Sequence, residues 1–206
     1  MFDVIASGVA LIILAPLALL IALAVKLSSR GPVLFRQTRM GMNFRPFHVL
    51  KFRTMRKDAA GPKITSGKDT RVTRAGAILR ASKLDELPQL WNVFCGDMSL
   101  VGPRPEVPEY VEKYRKEYAL ILKVRPGITD PASILYRSES ELLGQSEDPI
   151  RYYEEVLLPQ KLAISSEYVR TATMMRDIKI LLETLIVCFL PGRVTSPVAV
   201  QPGKKS

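Results

Sequence analysis

The sequence predicts an α+β protein in which one membrane-inserted helix leads into a small, helix-rich domain carrying a short β-hairpin. Three observations predict it. Residues 4–25 are uncharged, residues 33–37 and 47–55 are short branched and aromatic runs parted by a turn, and leucines recur at helical spacing from Leu84 onward. The 206 residues suffice for one compact domain and an appendage. The expected division is a membrane segment at 1–27, a folded domain at 28–190 and a loose tail at 191–206.

The apolar segment is interrupted only by Ser7, Gly8 and Pro16. As a straight helix, its 22 residues reach about 33 Å, enough to cross a bilayer. Residues 1–3 carry no base, and no small-residue cleavage site precedes the basic residues that follow, so a cleaved signal peptide does not fit. Pro16 lacks a backbone donor and clashes with the preceding turn, which predicts a bend or break near residues 12–16. From these residues alone a kinked spanning helix and a re-entrant one stand level. In the spanning case Lys26, Arg30, Arg36 and Arg39 keep the C-terminal end cytoplasmic.

The formal charge of +10 is concentrated in one place. Residues 26–84 carry 15 bases and 2 acids, whereas residues 85–206 carry 15 bases and 17 acids. A basic block beside an apolar segment fits anionic lipid headgroups first and phosphorylated ligands second. Nucleic acid is the weakest fit, because no aromatics interleave the bases. An apolar share of 47% with 24% charged residues excludes a disordered chain and a polytopic membrane protein. Two cysteines and one histidine exclude a disulfide scaffold and a His/Cys zinc site.

Along the rest of the chain, Gly31-Pro32 closes a polar turn before the first strand, and residues 40–43 turn into the second. Lys51 and Arg53 then share one strand face, where they are expected to meet lipid headgroups or a substrate phosphate. Residues 57–70 read as a polar loop and 74–80 as a helix. Leu84, Leu87, Leu90 or Trp91, and Phe94 mark the next helix, with Asp85, Glu86, Gln89 and Asn92 opposite and Pro88 suited to a first turn. Gly102, Pro103, Pro105 and Pro108 make 101–108 a stiff loop around Arg104. Residues 109–122 read as an amphipathic helix, 124–129 as a turn, and 150–170 and 174–190 as two further helices. The apolar face of the last helix, with Ile178, Leu181, Leu182, Leu185 and Phe189, fits a membrane surface or the interface of a homodimer.

Asp85-Glu86 is the leading candidate for chemistry. Acids at a helix start complement its dipole, and Ser82-x-x-Asp85 has the form of a capping box. Arg80 and Lys83 shift the weight, since cations within five residues favour an ionised Asp85 and bind the phosphate it reacts with. An ionised aspartate is a nucleophile toward phosphorus, while a neighbouring acid and Mg²⁺ hold the phosphate oxygens. Arg104 and Arg125 are fixed by prolines, which favours preorganised anion contacts. His48 reads as structural and Cys95 as packing. The sequence has no P-loop and no G-x-G-x-x-G, so ordinary ATP- and NAD-binding folds are not supported.

Six motifs occur in order after the Pro16 segment: Arg36-Gln37-x-Arg39-x-Gly41, Lys51-Phe52-Arg53-Thr54-Met55, Leu84-Asp85-Glu86-Leu87-Pro88-Gln89, Gly96-Asp97-Met98-Ser99, Val101-Gly102-Pro103-Arg104-Pro105 and Arg125-Pro126-Gly127-Ile128-Thr129. Together they resemble the bacterial sugar transferase family, the small monotopic phosphoglycosyl transferases that start glycan assembly on a polyprenyl phosphate. The resemblance covers residues 2–190. It implies transfer of a sugar 1-phosphate from a UDP-sugar to undecaprenyl phosphate, release of UMP, a need for Mg²⁺, and a place on the cytoplasmic face of the bacterial inner membrane. By position, Asp85 is the implied nucleophile forming a covalent phosphosugar-enzyme, and Glu86 is its partner at the metal and the phosphate. Arg80, Arg104 and Lys51 match phosphate-holding positions, and Gln89, Arg125 and Arg137 are further implied substrate contacts.

In the family the proline segment enters and leaves on the cytoplasmic face as a helix-break-helix, which places the break here at Ala15-Pro16. The chain departs from the pattern twice. Ala15 stands where many members have Ser, so no hydroxyl helps satisfy the freed backbone groups. After Thr129, Asp130-Pro131-Ala132-Ser133 replaces the common Gly-Leu-Ala-Gln, while Arg137 keeps its spacing. An alternative from another class is a non-catalytic membrane-surface adaptor whose basic block binds anionic lipids, and it predicts lipid binding without UMP release.

Overall fold

The apolar segment folds as one helix, α1 (Phe2–Ser28), in the computed structural model, which describes residues 2–56 and 69–189. α1 continues through Pro16, which takes one hydrogen bond out of the helix without ending it. Ile12, Ile13, Leu19, Leu20 and Leu23 are all more than half exposed. Its two ends are tied to the domain. Asp3 Oδ2 accepts from Ser99 Oγ at 2.9 Å and its Oδ1 from Leu100 N at 3.3 Å, and Gly8 lies against the Phe94 ring. At the other end Ile21 and Val25 pack with Phe52 and Leu79.

Arg53 completes that second tie: it borders the cleft, but its guanidinium is spent on the end of α1 rather than left open for lipid or substrate. Its guanidinium donates to Val25 O at 3.2 Å, to Ser29 O at 2.7 Å, and to Pro32 O. It thus satisfies carbonyls that the helix end leaves without partners, with a cation at the negative pole of the dipole.

β1 (Leu34–Met40) and β2 (Pro46–Phe52) form the expected antiparallel hairpin, with Phe35 opposite Lys51 and Arg39 opposite Phe47. β2 stops three residues early because Arg53 and Thr54 turn inward and are buried. α2 (Arg74–Ala81) begins at Thr73, whose Oγ1 accepts from Gly76 N at 2.9 Å. Gly76 itself presses on Thr54, since a Cβ there would stand 2.1 Å from Thr54 O. Ser82 ends α2 by donating back to Ile78 O at 2.9 Å, so the capping box read at Ser82-x-x-Asp85 is absent. A single 3-10 turn, Leu84–Glu86, then leads to α3 (Gln89–Phe94).

β3 (Ser99–Val101) pairs in parallel with β4 (Gly127–Thr129), where irregular loops were expected. Gly102 and Gly127 permit the approach: a Cβ on Gly127 would fall 2.1 Å from Gly102 N. The helix expected over 109–122 divides into α4 (Pro108–Lys113) and α5 (Arg115–Ile121) at Tyr114, whose ψ of 40° leaves the helical region. α6 (Pro131–Leu135), α7 (Glu139–Gly144), α8 (Pro149–Tyr152), a π turn at Tyr153–Leu157 and α9 (Leu158–Thr171) follow. These helices close a core of Val111, Tyr118, Ile121, Leu143, Leu157, Leu158 and Leu162.

α10 (Met174–Phe189) buries Ile180 against Val101 and Tyr168, while Met174, Met175, Leu182 and Leu185 remain more than half exposed. The tail expected at 191–206 and most of the polar loop expected at 57–70 lie outside the described residues.

Candidate active site

β2, α2, the 3-10 turn, the loop after β3 and the segment from α6 to α7 surround one open cleft of about 2330 Å³. That exceeds the ~300–1,000 Å³ usual for one drug-sized ligand. The chain enters it through Lys83, held in the left-handed region at φ 58° between α2 and the 3-10 turn. A left-handed lysine costs about 1–2 kcal/mol. Here it reverses the chain so that Asp85 and Glu86 both line the cleft.

The two carboxylates have opposite surroundings. Glu86 Oε1 accepts from Lys51 Nζ at 2.8 Å and from Arg104 Nη2 at 2.5 Å, and Oε2 from Arg104 Nη1 at 3.3 Å. Burial alone would push its carboxyl up, but Arg104 and Lys51 outweigh that and hold it well below the ordinary carboxylate value. In return, the Glu86 charge raises the pKa of Arg104. Burial, with the nearby Arg104 charge, pulls the Lys51 ammonium below its ordinary value despite Glu86.

Asp85 is only 8% exposed, and among the described residues no hydrogen bond or ion pair reaches its carboxylate. Burial, reinforced by the Glu86 charge, raises its pKa against the pull of Lys51, Lys83 and Arg80. Adjacent acids driven apart in this way divide the work: one anchors charge and the other stays free to react.

Arg80 donates from Nε to Thr54 Oγ1 at 2.8 Å and lines the cleft beside Asp85. Arg137 lines it from the side of α6 and donates to Val187 O of α10. The structure therefore gathers Asp85, Glu86, Lys51, Arg80, Arg104 and Arg137, and it leaves two expected residues outside. Gln89 is 2% exposed within α3, off the cleft lining, with Nε2 unpartnered among the described residues. The first turn of α3 points it into the protein. Arg125 is exposed beside Gly96, where the chain entering β4 passes the turn between α3 and β3. Ala15 and Pro16 are exposed in mid-α1. His48 is exposed with its ring 3.4 Å from Thr38 Oγ1, and Cys95 is exposed rather than packed, because it caps the end of α3.

A second charge centre at the cleft was not foreseen. Arg39 Nη1 donates to Glu106 Oε1 at 2.6 Å, Tyr153 Oη to Glu106 Oε2 at 2.6 Å, and Gln37 Oε1 accepts from Arg39 Nη2 at 2.8 Å. In the sequence, Gln37 and Arg39 alternate onto one strand face within Arg36-Gln37-x-Arg39-x-Gly41, and Glu106 directly follows Arg104-Pro105.

Among the described residues no three or more His, Cys, Asp or Glu side chains group as a metal cage. Of the adjacent pair, Asp85 keeps its oxygens open among the described residues, since cations take both oxygens of Glu86. Magnesium is commonly held by one or two carboxylates, waters and substrate phosphates, and this donor set fits that shared arrangement.

The chain matches the bacterial sugar transferase family over residues 1–191. It is 44% identical over 188 residues to a UDP-glucose:undecaprenyl-phosphate glucose-1-phosphate transferase of Caulobacter vibrioides, covering 89% of this chain and 66% of the relative. An enzyme of the same description from Escherichia coli K12 is 40% identical over 194 residues, covering 91% of this chain and 39% of the relative. The exopolysaccharide production protein PSS of Rhizobium leguminosarum is 38% identical over 198 residues, covering 90% of this chain and 92% of the relative. The chain thus spans about two thirds of the first relative's length and well under half of the second's. With Lys51, Asp85, Glu86 and Arg104 from three of the motifs meeting in one cleft and the match running from α1 to the end of α10, the chain belongs to the bacterial sugar transferase family.

Proposed function

We propose that this chain transfers a sugar 1-phosphate from a UDP-sugar to undecaprenyl phosphate through a covalent intermediate on Asp85. The observation that carries this reading is the buried Asp85, unpaired among the described residues, beside a Glu86 whose oxygens are both engaged. An Asp85 carboxylate oxygen attacks the phosphorus bonded to the sugar, the bridging P–O bond breaks, and UMP leaves with the bonding electrons. A phosphate oxygen of undecaprenyl phosphate then attacks the same phosphorus, the aspartyl P–O bond breaks, and the carboxylate is restored. Both transition states spread charge over phosphoryl oxygens, which Arg104, Lys51 and Arg80 line the cleft to stabilise. Asp85 would hold Mg²⁺, which would supply further charge neutralisation when bound.

Glucose is the sugar in the names of the Caulobacter and E. coli relatives, so UDP-glucose is the first substrate to test. Purified chain with undecaprenyl phosphate and Mg²⁺ is expected to release UMP from UDP-glucose or another UDP-hexose. Lipid binding with no UMP from any UDP-sugar would favour the adaptor instead.

For α1 the proposal is a monotopic, re-entrant insertion on the cytoplasmic face of the inner membrane, in which the helix, continuous through Pro16 here, bends at Ala15-Pro16 once in the bilayer. Asp3 at one end and Val25 and Ser29 at the other bond to the same domain, while the apolar middle is bare. A helix crossing the bilayer would carry Asp3 away from Ser99. In a background without Cys95 and Cys188, Ile5→Cys is expected to resist an impermeant thiol reagent added outside intact cells, and external labelling would favour a spanning helix.

A further inference from the structure

Arg104 does its work from a loop, and that loop is held on both sides. Building on the function proposed above, we infer that Glu106, gripped by Arg39, is the positioning residue for Arg104. Behind Arg104, Arg39 Nη1 donates to Pro105 O at 3.2 Å as well as to Glu106 Oε1, and Met40 N donates to Glu106 O at 2.9 Å. Val107 N donates to Glu106 Oε1 at 2.8 Å, and Tyr153 Oη holds Oε2. Ahead of Arg104, Gly102 N donates to Thr129 O at 3.0 Å and Gly127 N to Pro103 O at 3.0 Å. Prolines on either side fix two further torsions. The guanidinium is left as the part of this loop that reaches Glu86.

The charges suit the task. Burial would raise the Glu106 carboxyl, but Arg39, Lys161 and the Tyr153 hydroxyl keep it below its ordinary value, so it stays an anion that holds Arg39. Burial drives the Tyr153 phenol well up, so it remains a donor. Gln37 takes Arg39 Nε at 3.1 Å and fixes the plane of its fork. Arg39 and Lys51 lie on the two paired strands of one hairpin. That hairpin therefore carries both the lysine that holds Glu86 and the arginine that holds the Arg104 loop, and it sets the two sides of the phosphate site in one frame.

The test is a double-mutant cycle on the full chain in lipid nanodiscs, with Glu106→Gln and Arg104→Gln singly and together. Glutamine keeps the shape and acceptor of Glu106 but removes the charge that holds Arg39. Glu106→Gln is expected to lower kcat for UMP release about 10-fold or more, with KM for the UDP-sugar changed less than about threefold. In the Arg104→Gln background it is expected to cost less than about twofold, because the residue it positions is gone. An equal loss in both backgrounds, or an unchanged kcat, overturns the inference.

Where Glu106→Gln fails to fold, Tyr153→Phe removes one donor to the same carboxylate and is read through the same cycle. Amide exchange adds a readout that needs no turnover: Met40, whose amide donates to Glu106 O, and Val107, whose amide donates to Glu106 Oε1, are expected to exchange faster in Glu106→Gln, with β2 unchanged. If the wild-type chain releases no UMP from any UDP-sugar, the proposed function fails. Unchanged exchange at those two amides then overturns the brace, and faster exchange confined to them supports it.

Discussion

Glu86 and Glu106 sit on either side of Arg104, each bound to an arginine through a short bond, yet the two centres differ in what stands next to them. Around Glu106 both carboxylate oxygens have donors: Oε1 takes Val107 N and Arg39, which Gln37 holds in turn, and Oε2 takes the Tyr153 hydroxyl. Beside Glu86 lies Asp85, buried and without a partner among the described residues. A satisfied centre of charge holds geometry. An unsatisfied one is costly to keep, and that cost is the mark of a group kept for chemistry.

Replacing Asp85 is the strongest way to break this contrast. Asp85→Asn is expected to lower UMP release by at least about 10³-fold, since the nucleophile is gone. The same variant is expected to raise the melting temperature at neutral pH in nucleotide-free, metal-free buffer. The folded pKa of Asp85 lies above its ordinary value, so its ionisation destabilises the fold as pH rises through that pKa. The gain should vanish in acid, where Asp85 is protonated in both folded and unfolded chains. A melting temperature lowered at neutral pH would contradict the account.

Glu86→Gln is expected to cost about 10²-fold in rate and about 3 kcal/mol in stability, because Lys51 and Arg104 would face each other without their shared anion. Denaturant titration and the UMP assay read the two effects separately.

Gly127→Ala tests the frame rather than the charges. Its Cβ would meet Gly102 N at 2.1 Å, so a loss of about 3 kcal/mol is expected from denaturant unfolding. Glu106→Gln sharpens the comparison through pH. The folded pKa of Glu106 is depressed, so its contribution to stability is present above its ordinary value of 4.5 and fades as pH falls through the lower folded pKa. The stability gap between wild type and Glu106→Gln should hold from neutral pH down to about 4.5 and then narrow. Arg125→Gln, outside the cleft, is expected to change UMP release less than about twofold.

The parts of the molecule legible in the sequence are those fixed locally. Uncharged length announced α1, alternation and turns announced the hairpin, and Asp85, Glu86, Lys51 and Arg104 were named before their meeting place was known. The parts that were not legible depend on distant partners. β3 and β4 have three residues each and become strands because Gly102 and Gly127 let their backbones meet. Arg53 looked like a ligand for phosphate because nothing in its neighbourhood shows that the end of α1 lies within reach. Arg125 shares with Arg104 a neighbouring proline in the sequence, but only Arg104 lines the cleft. Glu106 was overlooked because a lone acid after a proline has no pattern of its own, and its importance comes from Arg39, 67 residues earlier.

The central claim is that Asp85 carries the sugar phosphate between donor and acceptor. Incubating the chain with UDP-glucose and Mg²⁺ without undecaprenyl phosphate, then quenching in acid and mapping peptides by mass spectrometry, tests it directly. The account predicts one hexose phosphate added on Asp85, lost on addition of undecaprenyl phosphate and absent from Asp85→Asn. Release of UMP with no adduct on Asp85, or an Asp85→Asn variant that remains active, would contradict it.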